Sequence, residues 1–191
     1  MRKLTLMLCL FMASYTLSAQ EFMHSFGGKY LFYGNSDGVT GGVLLYSPRL
    51  NLNAEGNSTL SIGTHFGLGF NVSSRSDEGG GSSSFILDLP LVAEYNVGFG
   101  STSDADGSFG GYVGAGYGIH RASMSTAYGS GSATLHGPVF TGGLRFLIGS
   151  VGAFELGASY NLDLKTKVKE AKSNIFGISV SYIFGFRESA F

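Results

Sequence analysis

Four histidines, His24, His65, His120 and His136, are the first side chains to test for chemistry. A zinc site of the H-x-x-x-H kind needs two of them one helical turn apart. None is so placed, so the expectation is no metal. Ester hydrolysis needs a hydroxyl within hydrogen-bond reach of an imidazole, and an acid to orient the ring. On a β-strand, residues two apart share a face, so His-x-Ser would serve. His24, His65 and His120 are instead followed two positions on by Phe26, Gly67 and Ala122. His120 and Ser123 meet only if a loop brings them together. The Gly-x-Gly-x-x-Gly matches are those any glycine-rich chain contains, and none opens a helix. The reading is a non-enzyme without a cofactor.

A second set is more informative: Lys29, Arg49, Asp88, Glu94, Arg145, Glu155, Asp163 and Lys165. Each sits in a segment that alternates bulky apolar residues with small or polar ones, and each falls on the polar face. Strand direction puts Arg49, Glu94, Arg145 and Glu155 in one half, and Lys29, Asp88, Asp163 and Lys165 in the other. Both halves are charge-neutral. One reading is a salt-bridged plug, the other a gated path for small solutes. The plug is preferred, because the interior of eight strands is just wide enough for side chains. Arg121, at a strand end, is the one charged residue on the bulky face. Lys165 to Lys172 is a basic loop, read either as solvated or as a site for lipopolysaccharide phosphate.

The elements holding these residues are strands. Eight alternating segments run 22–33, 39–52, 60–72, 85–97, 109–121, 139–148, 153–165 and 174–186. In the last, Phe176, Ile178, Val180, Tyr182, Phe184 and Phe186 face one way, and Gly177, Ser179 and Ser181 the other. A helical period cannot separate residues like this. Every aromatic residue of these segments lies on the apolar face except Tyr33 and Tyr112. Charged residues make up only 13% of the chain and aromatics 14%, with 31 glycines. That apolar content excludes a disordered chain. A net charge of −1 leaves no basic footprint for nucleic acid. One cysteine excludes a disulfide framework.

A soluble barrel puts its bulky residues inside. Eight strands enclose too little room for these, so the apolar face must meet lipid. In lipid every backbone polar group must be paired, which requires the sheet to close. The fold expected is all-β: a closed eight-stranded antiparallel transmembrane β-barrel, an up-and-down meander in the outer membrane. Leu156 and Phe176 then face lipid, and Ser159 and Ser179 the lumen. Outer loops fall at 34–38, 73–84, 122–138 and 166–173. Inner turns fall at 53–59, 98–108 and 149–152, with 98–108 long for that side. A three-residue turn at 149–151 sets Arg145 directly opposite Glu155 inside.

Arg2 and Lys3, an apolar run to Leu17, then Ser18-Ala19 describe a secretory signal peptide. Residues 1–19 are read as that leader and 20–191 as the barrel domain. Cys9 lies within the leader, without the small residue before it that a lipid-modified cysteine wants.

Leu89-Pro90-Leu91 leading to Glu94-Tyr95, the run Gly110 to Gly118, and Gly142-Gly143-Leu144-Arg145-Phe146 resemble small outer-membrane β-barrel proteins of the Bacteroidetes type, OmpA/OmpX-like eight-stranded barrels. The aromatic last strand resembles the signal that barrel-assembly machinery reads. The resemblance implies an outer-membrane location, with outer-membrane lipid and lipopolysaccharide around the chain and assembly machinery as a partner during insertion. It carries no catalytic residues. The functions expected are envelope structure or surface interaction through the outer loops. The alternatives are a narrow channel or lateral port for small hydrophobic solutes and, behind these, a lipid A-modifying enzyme.

Overall fold

The computed structural model describes residues 21–34, 41–52, 56–75, 80–126, 129–149, 151–164 and 174–184. Alternation becomes strand throughout: β1 (Glu21–Tyr33), β2 (Gly41–Asn51), β3 (Ser58–Thr64), β4 (Phe66–Arg75), β5 (Gly80–Gly98), β6 (Phe109–Thr126), β7 (Gly129–Ile148), β8 (Gly152–Asn161) and β9 (Ile175–Phe184). β3 and β4 are two halves of one barrel strand. Arg49 of β2 opposes Gly63 of β3 and Tyr46 opposes Phe66 of β4, so the register runs unbroken past His65.

With β3 and β4 counted as one strand, each barrel strand pairs antiparallel with its sequence neighbours, and β1 pairs with both β2 and β9. That last pairing closes the ring, and the fold is the eight-stranded antiparallel barrel expected. Closure gives every barrel strand a hydrogen-bonded neighbour on both sides, as an apolar solvent demands. Burial follows the alternation: Phe22, Phe26, Tyr30, Leu44, Val113, Phe140, Leu156 and Phe176 are exposed on the outside, while Ser25, Ser47, Ser61, Ser159 and Ser181 are buried inside. An apolar exterior around a polar interior reverses the soluble arrangement and suits lipid. On β6 the belt runs from Phe109 to Ile119. At about 3.4 Å per residue and a tilt near 40° it rises roughly 26 Å, against an apolar band of about 25 Å in such barrels.

Two expected loops are largely strand. β5 starts at Gly80, β6 continues to Thr126 and β7 begins at Gly129, so these strands stay paired well beyond the apolar belt. Ser83 opposes Ser125, and Ser125 opposes Ser130. Outside the membrane neither face needs to be greasy, so the apolar alternation fades while the backbone ladder continues. The expected loops 34–38 and 166–173 and the leader fall largely or wholly outside the described residues.

The inner connection 99–108 is long because it folds back into the barrel mouth. Gly98 and Gly100 take φ of +68° and +75°, which an L side chain resists. The turn drives Phe99, Ser101 and Thr102 into buried positions. Phe99 packs with Met23, Ala153 and Ile183 as an apolar stopper.

Candidate functional site: the charged lumen

Above that stopper lies a charged layer built from five strands and the infolded turn. Arg145 is fully buried. Its Nε donates to Glu155 Oε2 at 2.7 Å, and its Nη1 donates to Asn96 Oδ1 at 2.6 Å and to the Gly100 carbonyl at 3.2 Å. The Arg145 guanidinium also stands 4.5 Å from the centre of the Tyr112 ring, a cation–π distance. Arg49 reaches across from β2, with Nη1 3.9 Å from Glu155 Oε2 and Nη2 donating to the Gly100 carbonyl. Both arginines therefore hold the turn inside the mouth. Asn51 adds to this by donating to the Ser101 carbonyl at 2.9 Å, and Glu21 accepts from the Ser103 amide at 2.8 Å.

Glu94 completes the layer through His65, whose Nε2 lies 2.7 Å from Glu94 Oε1. His65 Nδ1 lies 2.9 Å from the Ser47 hydroxyl. Ser47, His65 and Glu94 thus form a serine–imidazole–carboxylate relay on β2, the β3–β4 junction and β5. The search for His-x-Ser within one strand missed it. Parity places Ser47 and His65 both inward, and the β2–β3 register places them side by side, so the signal was cross-strand. The cavity beside the relay is about 10 Å³ and is lined by Ser25, Arg49 and Glu155 among others. That is room for a water molecule, not an acyl group.

A second layer lies nearer the outer end. Lys29 Nζ on β1 donates to Asp88 Oδ2 on β5 at 2.7 Å, across the lumen. His120 Nδ1 is 3.5 Å from Asp88 Oδ1, and His120 Nε2 is 2.5 Å from the Tyr33 hydroxyl. Tyr33 and Tyr112, the inward aromatics of the described strands, thus serve the two layers as hydroxyl and ring. Space for these side chains comes from inward glycines. A methyl on Gly177 would stand 2.5 Å from Lys29 Cε. Leu31, Val43, Ile86 and Ile175, with Tyr33 and Leu135 against them, close the lumen above.

Of the eight charges read from the sequence, Lys29 meets Asp88, and Arg49 and Arg145 both meet Glu155, with Glu94 in the same layer. Asp163 is buried on the inner face. Lys165 and the rest of the basic segment to Lys172 lie outside the described residues. The other two histidines face outward near the ends of the belt. His24 packs edge-on against Phe22, Tyr46 and Phe184, and His136 Nδ1 is 2.9 Å from the Tyr117 hydroxyl. They sit in the aromatic girdles that mark the membrane interfaces.

No family model matches the sequence, and no curated protein matches it. Solved structures do match. Ail, the attachment invasion locus protein of Yersinia pestis, is similar with a TM-score of 0.52 at 17% identity, covering 86% of this chain and 99% of that one. Neisserial surface protein A is similar with a TM-score of 0.58 at 18% identity, covering 87% of this chain and 100% of that one. With its closed ring, apolar belt and charged interior, the chain has the fold of the small eight-stranded outer-membrane barrels and is a protein of the bacterial outer membrane.

Proposed function

We propose that this protein is a non-enzymatic, sealed barrel of the Bacteroidetes type that acts in envelope structure or surface interaction through its outer face. In this reading residues 1–19 export the chain, residues 20–191 form the barrel, and assembly machinery reads the last strand during insertion. The observation that carries it is the sequence of barriers along one lumen. The Phe99 stopper is followed by the Arg49–Arg145–Glu155 layer, then the Lys29–Asp88 tie, then the Leu31–Ile86 closure. A solute must break two buried charge layers to pass, and stripping one partner from a buried ion pair costs about 3–5 kcal/mol. The relay at Ser47 supports a non-enzymatic reading, because nothing larger than water fits beside it.

The competing reading is a lateral port. A groove of about 900 Å³ does mark the outer wall at Gly28, Gly42 and Phe70. β1 stays paired with β2 behind it, with Gly28 opposite Leu44 and Tyr30 opposite Gly42, whereas the β2–β4 pairing runs only from Tyr46–Phe66 to Leu44–Leu68, below Gly42 and Phe70. What separates the groove from the lumen is the Lys29–Asp88 tie and the packing of Val43 against Leu31 and Ile86. Planar-bilayer conductance of the purified protein tests the proposal. The expected record is silent. Steady single-channel conductance overturns it.

A further inference from the structure

The wall of the ring is not laddered to the same height everywhere. Among the described residues, the β2–β4 ladder stops at Leu44–Leu68. Above that rung both strands stay extended, each paired on its far side. β2 follows β1 as far as Leu31–Gly41, and β4 follows β5 as far as Arg75–Gly80. Residues 41–43 of β2 and 69–70 of β4 are thus neighbours without rungs between them. They lie close, since a methyl on Gly69 would stand 2.7 Å from the Gly42 carbonyl oxygen and 2.8 Å from Val43 Cγ1. In hydrocarbon a wall resists parting because each freed N–H and C=O loses its partner. Parting this stretch breaks no rung, so the usual resistance is missing.

Side chains span the seam instead, and they do so from inside. Lys29 stands opposite Val43, and Asp88 opposite Gly67. Val43 is one residue above the last rung and Gly67 one below it. The Lys29–Asp88 contact of 2.7 Å therefore runs from β1 to β5, behind both seam strands, at the height where their ladder ends. Its side chains are 4% and 0% exposed, so little water competes for either charge. Above the tie, Val43 of β2 and Ile86 of β5 share the apolar cluster with Leu31 and Ile175. Outside, the groove of about 900 Å³ follows the same seam. Lys29 and Val43, both inward, line it beside the outward Gly42 and Phe70. At this seam the groove passes between the strands and reaches the tie itself.

We propose that residues 41–44 of β2 and 68–70 of β4 form a local opening unit in the wall, and that Lys29–Asp88 is the clasp that holds it shut from inside. Segments held by few hydrogen bonds open without unfolding the rest of a protein. The clasp supplies the hold that the missing rungs do not. The proposal rests on the sealed-lumen reading above and names the bond on which that seal depends at this seam. The Arg145–Glu155 layer takes no part, because β7 and β8 are laddered from Ile148–Gly152 to Val139–Asn161.

The test is amide hydrogen exchange of the full barrel in lipid nanodiscs. The reporters are the last rungs of the seam, Leu44 to Tyr46 with Phe66 to Leu68, and the control is the end of the β7–β8 ladder, Val139 to Thr141 with Ser159 to Asn161. Lys29→Met with Asp88→Asn removes the clasp and leaves no orphaned charge. It should speed exchange at the seam about tenfold or more, the weight of a charge-assisted hydrogen bond in an opening equilibrium. The β7–β8 rungs should stay within about twofold of the parent. Lys29→Arg, which keeps the charge pair, should match the parent at both places. Gly42→Cys with Phe70→Cys, in a Cys9→Ser background and joined by a short bifunctional maleimide, ties the seam from outside. Added to the neutral pair, it should restore the parent rate, and it should rescue folding if the neutral pair alone folds poorly. A heat-modifiable gel band verifies folding. Unchanged exchange at the seam, or no rescue by the cross-link, overturns the clasp. Equal acceleration in both ladders overturns the local opening unit. Steady conductance of the parent would instead overturn the sealed lumen and leave the exchange comparison standing.

Discussion

Arg145 on β7 and Glu155 on β8 stand directly opposite each other, and Arg145 Nε donates to Glu155 Oε2 at 2.7 Å inside the barrel. The pair is a consequence of the hairpin. The short turn after Ile148, with Gly149 at φ +46° and Val151 N donating to Ile148 O at 2.8 Å, sets the register. That register then sets Leu144 opposite Leu156 on the lipid face and Arg145 opposite Glu155 on the inner one.

Glu155 serves two cations, since Arg49 also approaches it at 3.9 Å. Glu155→Ala should therefore destabilise the barrel by about 3–5 kcal/mol, the cost of orphaning a buried partner. Adding Arg145→Ala should recover only part of this, because Arg49 stays unpaired and the Gly100 carbonyl loses one of its donors. Urea unfolding of the two single variants and the double variant in lipid vesicles checks this. Strictly additive losses would contradict the coupling.

The inner glycines make a steric prediction. A methyl at Gly143 would stand 2.6 Å from Tyr112 Cε1 and press on the Leu156 carbonyl, while one at the adjacent, outward Gly142 meets the Tyr112 carbonyl at 3.3 Å and Val113 Cγ1 at 3.8 Å. Gly143→Ala should cost about 1–3 kcal/mol by overpacking. Gly142→Ala should stay within about 0.5 kcal/mol, as surface changes do. The same unfolding assay compares them, and equal effects would mean that Tyr112 is not held by Arg145 and Glu155.

The apolar belt predicts a depth-dependent penalty. Leu156 is exposed on the lipid face between Leu144 and Val180. Leu156→Arg should cost about 2–4 kcal/mol, the range for a cation near the midplane of such a barrel. Refolding yield and unfolding midpoint in vesicles measure it, and a neutral result would place Leu156 in water.

The extension of β5, β6 and β7 predicts an aqueous surface above the belt. With Cys9, the chain's one cysteine, replaced by serine, Ser132→Cys should react on intact cells with a membrane-impermeant maleimide. Leu144→Cys should not react until the membrane is dissolved. Labelling of both, or of neither, would move the membrane boundary away from the Ile119–His136 row.

Period-two alternation is a local property. It requires only that neighbouring side chains point to opposite faces. It was therefore legible in the residues, along with the inward position of Lys29, Arg49, Asp88 and Glu94, the outward position of Leu156 and, through one short turn, the Arg145–Glu155 register. The serine-rich continuation of β5 to β7 was not legible, because above the membrane no face is selected for greasiness and the alternation carries no signal. Nor was the fate of residues 99–108. Nothing local says that a turn folds inward, and Arg49 and Arg145 draw it there from two other strands. The Lys29–Asp88 tie and the Ser47–His65–Glu94 relay join strands at heights set by the register of the intervening pairs. Which charges meet is decided when β1 pairs with β9, since only the closed ring brings opposite walls within a side chain's reach and excludes the water that would otherwise keep each charge apart.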